Sequence, residues 1–204
     1  FGVKYPVKNT PVVHEVAMTE NKVTHTIDRA VDVLTGVATN REVIKRELAR
    51  LPDADERINK SKVEYEIQLL RIVFTGWAVA YFLADHPLKT DLSEAFWLSL
   101  HGFAGRISAM ASAGTPGLAV DYFATIRERA QRYTEALNTN MDEADPAIVV
   151  GADFLRLCGD VGGQAVADAG KQVFVNNLNT VKLYLDAVTI EQQEWESGPG
   201  QKKH

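Results

Sequence analysis

Six side chains have the types needed for a binding site: His101, Arg106, Arg71, Trp77, Trp97 and Phe103. Arg71 and Arg106 each stand among apolar or small residues, and a guanidinium in such company must be paired or bound to something. Glycines at 102 and 105 leave space beside His101, and Trp97 and Phe103 offer flat walls. Two chemistries suit the set. An imidazole can ligate the iron of a haem or another tetrapyrrole, and guanidiniums together with an imidazole can grip an anion. Simpler roles compete with both: salt bridges from the arginines to Glu64, Glu94, Asp121 or Asp153, and a hydrogen bond from His101 at the edge of a helix interface.

The run Leu100-His101-Gly102-Phe103-Ala104-Gly105 resembles the phosphorylated helix of histidine phosphotransfer domains, where glycine also follows four positions after the histidine. The resemblance covers that run alone and departs at Ala104, where the family has Lys or Arg. It implies phosphoryl transfer at His101.

Other chemistries are excluded by spacing. Di-iron bundles need Glu-x-x-His, and no Glu here has His three residues on. His-Glu-x-x-His is missing, and His25 and Asp28 fall on the polar side of their helix, so no metal site is expected. Gly159-Asp160-Val161-Gly162-Gly163 followed by Gly170-Lys171 fails as a phosphate loop, because Ala165 and Gln172 stand where Gly and Ser or Thr are required. It reads as a kink. Cys158, the single cysteine, cannot form an internal disulfide and has the surroundings of a small buried hydrophobe.

These residues need elements to hold them. Apolar residues Val63, Ile67, Leu70, Phe74, Trp77 and Tyr81 repeat at helical steps, with a second apolar stripe beside them and a polar ribbon of Glu64, Gln68, Arg71 and Thr75. A helix so apolar around its circumference is a core helix. Ile67 to Ala84 approaches the length of a membrane span, but Gln68 and Arg71 interrupt it, so no span is expected. Its partner opens with Asp91 and Glu94 as a capping box and carries Phe96, Leu100, Phe103, Ile107 and Met110. The spacing thus predicts a buried central hairpin, 63–84 and 91–113.

Around it the sequence predicts amphipathic helices: one from about Asn21 to Val37, a short one after Thr39 ending at Leu51, and a restart at Asp53 that feeds the core helix. Thr115-Pro116 opens another toward Leu137, and Asp145-Pro146 opens one through Cys158. The last runs from Gln164 to about Val188; its asparagines 176, 177 and 179 weaken the middle, and Val173–Val175 is the one local strand candidate. The fold class is therefore all-α, a single bundle of six or seven helices over 19–190. An extended N-terminal arm at 1–18 and a flexible tail at 191–204 flank it.

With 46% hydrophobic residues the chain can bury a large core. A net charge of −5 with both signs interspersed excludes a nucleic-acid surface, and Arg127, Arg129 and Arg132 read as a solvated helix face. One cysteine and no signal-peptide pattern point to the cytoplasm, although the sequence begins at Phe1. The leading functional expectation is a non-enzymatic helical domain acting through a protein partner or self-association, by way of the arm and a projecting start of the 53–84 helix. The alternative is a ligand-binding or sensory bundle with a pocket near His101.

Overall fold

Asn59 starts the central helix by accepting a hydrogen bond from the Lys62 amide, and α3 then runs Lys60–Phe82. The computed structural model describes residues 22–52, 57–114, 120–143 and 145–192. The arm, the restart at 53–56, the Thr115-Pro116 signal and the tail beyond 192 fall outside them. Within α3, Ile67, Leu69, Leu70, Ile72 and Phe74 are buried, so its apolar circumference has found neighbours on all sides. Leu83 closes the helix, and Pro87 prevents its continuation.

The chain is an all-α bundle. Among the described residues there are seven helices and two short strands: β1 Val23–Thr26, α1 Ile27–Thr39, α2 Arg41–Leu48, α3, α4 Lys89–Gly114, α5 Tyr122–Thr139, α6 Pro146–Leu157, α7 Gly163–Ala187 and β2 Val188–Glu191. Helices α1, α2, α4, α5 and α7 all pack on α3. No helix among the described residues is long and apolar enough to cross a membrane.

The hairpin's arms differ in burial. α4 buries one stripe, Leu92, Phe96, Leu100 and Ala104, whereas Leu98 and Met110 are 74% and 70% exposed. α7 packs more extensively on α3 than α4 does. The described start of the core helix is exposed at Lys60, Ser61 and Lys62. Beyond them Val63 is buried, and Tyr65 packs edge-on against Tyr122.

Two expected helix ends are strands. Residues 23–26, expected within the first helix, pair in parallel with 188–191, which span the expected end of the last helix and the start of the expected tail, in the register Val23↔Val188 to Thr26↔Glu191. Both runs are rich in β-branched residues, which favour extended backbone. Thr26 then caps α1 by accepting from the Arg29 amide, which fixes where helix begins. Val173–Val175 lies instead inside α7, where Val173 and Phe174 are buried and tertiary packing overrides local preference.

Asp121 caps α5 and Asp145 caps α6, with Pro146 in the first turn. The kink at 159–163 is real, with left-handed φ at Gly159, Asp160, Gly162 and Gly163. Gly162 is also required for space, since a Cβ there would stand 2.6 Å from Val166 and 2.8 Å from Ile58.

Candidate functional site

The six predicted residues do not converge. His101 is exposed on α4, its ring edge-on to Phe123 of α5 at 4.8 Å. Arg106 is exposed on the same helix. Trp97 is taken up against Gly76, where a Cβ would approach the indole to 2.5 Å, and Phe103 meets Tyr122 edge-on. Neither aromatic is free to wall a flat chamber beside His101. Trp77 stacks on Tyr81 at 4.9 Å and lines an apolar cavity of about 330 Å³ with Phe82, Leu137 and Phe174. Arg71 faces a different part of the molecule.

Arg71 is 4% exposed. Two of the expected carboxylate partners are engaged elsewhere: Asp153 holds Arg132, and Asp121 caps α5. No carboxylate forms an ion pair with Arg71 among the described residues. Instead its Nη2 donates to the Val37 carbonyl in the last turn of α1, where a cation is favoured by the helix dipole. Its Nε is buried with no hydrogen-bond partner. Burial pushes this guanidinium down to about 10; Glu47 opposes that shift and Arg46 adds to it. The lowered value means that burial makes the charge costlier to hold than in water, although the group stays protonated at neutral pH, and an anion beside it would offset that cost.

The space in front of Arg71 is a cleft of about 360 Å³ between α2 and α7, lined also by Asn40, Arg46, Asn176, Asn179 and Thr180. Two of its asparagines already have their side-chain oxygens engaged. The Asn40 side-chain oxygen is occupied by the amides of Glu42 and Val43 as the cap of α2, and the Asn176 oxygen accepts from Gln172. Each asparagine therefore keeps its NH₂ for the cleft. Two guanidiniums line the recess beside three asparagines and the Thr180 hydroxyl, with no carboxylate in the lining, so its net charge is positive.

Sequence reasoning found Arg71 but missed its neighbours. The available signal was the trio of asparagines in α7, poor helix formers mid-helix. Asn177 is buried, donating to the Thr75 hydroxyl at 3.1 Å and the Arg71 carbonyl at 3.3 Å, which pins α7 to α3 at the level of the cleft. Asn176 and Asn179 lie on either side of it.

Of the α5 arginines, Arg127 is exposed as expected, while Arg129 and Arg132 differ. Arg129 holds the buried Glu66 with two bonds of 2.9 Å, and Arg132 holds the buried Asp153 at 2.9 and 3.1 Å. These are interior clamps rather than a solvated face. Burial pushes the Cys158 thiol up to about 12, the wrong direction for a nucleophile. Among the described residues no three His, Cys, Asp or Glu side chains are placed to hold a metal ion. Comparison with protein-family models, with characterised proteins and with solved structures finds no match for this chain.

Proposed function

We propose that the chain is a ligand-binding helical bundle whose cleft between α2 and α7 takes a small anion, a carboxylate or a phosphate. The observation that carries this reading is Arg71: a buried guanidinium with an unpartnered Nε, no carboxylate in ion-pair contact, and an electropositive cleft in front of it. Such a charge is costly to hold without a counter-ion. The reading keeps the anion-binding alternative reached from the sequence but moves its centre from His101 to Arg71, Arg46 and Asn176. Partner binding through residues 1–18 concerns a segment outside the described residues, and the cleft is the better-supported place for recognition.

Arg71→Met tests it. Methionine fills similar volume without charge, so the ligand-free variant should keep its Tm within about 3 °C of the parent or exceed it. For the parent, an anion at a hundred times its Kd should raise Tm by about 5–10 °C. In Arg71→Met that rise should vanish for inorganic phosphate and for short carboxylates alike. A variant that keeps the full rise, or a parent that responds to no anion, would sink the proposal.

A further inference from the structure

The Arg71 cleft adjoins a second cavity of about 570 Å³ along α7, and Asn176 lines both. On α7 the lining residues Ala165, Asp168, Gln172, Asn176 and Thr180 follow at three- and four-residue steps, one stripe of that helix. α2 supplies the opposite wall in reverse order. Asn40 and Arg46 face the later residues of the stripe; Glu47 and Arg50 face the earlier ones.

The two ends have opposite polarity. Arg46 and Arg71 line one end without a carboxylate, whereas Glu47 and Asp168 outnumber Arg50 at the other. Glu47 is 2% exposed. Its Oε2 accepts from Arg50 at 2.6 Å, but its Oε1 is buried with no hydrogen-bond partner. The two adjoining cavities are thus lined by a buried cation whose Nε has no partner and a buried anion whose Oε1 has none, with no ion pair joining them. A molecule bearing the complementary charges would satisfy both.

Building on the anion cleft proposed above, we infer that the ligand is an aminocarboxylate, its acid group held by Arg71 and Arg46 and its ammonium donating to the Glu47 carboxylate. Asn176, at the junction, keeps its NH₂ for the acid end. The groove's polarity selects against molecules with the same charge at both ends.

Calorimetric titration of the full chain would test this, using a series from glycine to 5-aminopentanoate, with pentanoate, glutarate, 1,5-diaminopentane and inorganic phosphate beside it. The best aminocarboxylate should bind about tenfold tighter than the carboxylate of equal length lacking the amino group, the scale of one charge-assisted hydrogen bond. The diamine should not bind. Glu47→Gln, which can keep the contact to Arg50, should erase the tenfold preference yet leave phosphate affinity within about twofold. Phosphate binding with no gain from the amino group would overturn this inference and leave the anion cleft standing. So would an equal loss of phosphate and aminocarboxylate affinity in Glu47→Gln. Failure of every compound, phosphate included, would overturn both.

Discussion

Arg129→Met is expected to destabilise the fold by about 3–5 kcal/mol, because it strands a buried carboxylate. Glu66 is 2% exposed on the core helix, and both its oxygens accept from the Arg129 guanidinium at 2.9 Å. That contact is also the largest influence on Arg129, holding its guanidinium above the ordinary value. The sign follows: a cation whose folded value is raised contributes its full stabilisation throughout the neutral range and loses it only in strong alkali. The pair's worth is a separate question from the cost of breaking it. Arg129→Met with Glu66→Leu removes both charges and should recover most of the loss, since well-packed apolar residues often replace a buried pair without penalty. Urea denaturation of the parent, the single variant and the double variant measures this. A single variant within about 1 kcal/mol of the parent would mean that Glu66 finds water or another donor.

Gly170→Leu is expected to cost about 3 kcal/mol or more, by forcing α6 and α7 apart. A Cβ on Gly170 would stand 2.6 Å from the Cβ, Cγ and Cδ1 of Phe154, which is fully buried. Those are the near atoms of a ring fixed in the core, so neither side can give way cheaply. Gly151 is similarly confined, with the Ala167 carbonyl 2.6 Å from its notional Cβ. Gly36 in α1 is the contrast: nothing lies within 4 Å of the same position. Gly36→Ala should therefore stabilise by about 0.5–1 kcal/mol through helix propensity alone. Thermal melts of the two variants should move in opposite directions. Equal shifts would show that the α6–α7 spacing adjusts more readily than the contact suggests.

The glycines explain part of what the sequence could and could not convey. Gly76 and Gly102 both interrupt apolar helices, yet Gly76 admits the Trp97 indole while Gly102 is exposed. Residue type alone does not distinguish them. The core helix was legible because its apolar pattern is local, and so were the helix starts at Asp145 and the break at 159–163, which rest on caps and backbone freedom. The partnership of Arg129 with Glu66 spans 63 residues, and periodicity on one helix says nothing about the charge facing it from another. The same holds for the recess at Arg71. Its walls come from α2, α3 and α7, and its character depends on asparagine oxygens already used by Glu42, Val43 and Gln172. Arg71 announced itself as a charge in an apolar helix; Arg46 and Asn176 looked like ordinary surface residues. The strands were missed for another reason. Four-residue β-branched runs at the edges of helical patterns are ambiguous until their partner, more than 160 positions away, is known.

That pairing gives the bundle a mechanical property. The two strands point the same way, with Val23 beside Val188 and Thr26 beside Glu191. Tension applied through residue 22 and residue 192 would drag one strand backward and the other forward, loading the rungs between them together in shear instead of peeling them one by one. The seven helices among the described residues all lie within the loop of chain that this small ladder closes, so a stretching force would meet the ladder before it reached the helical core.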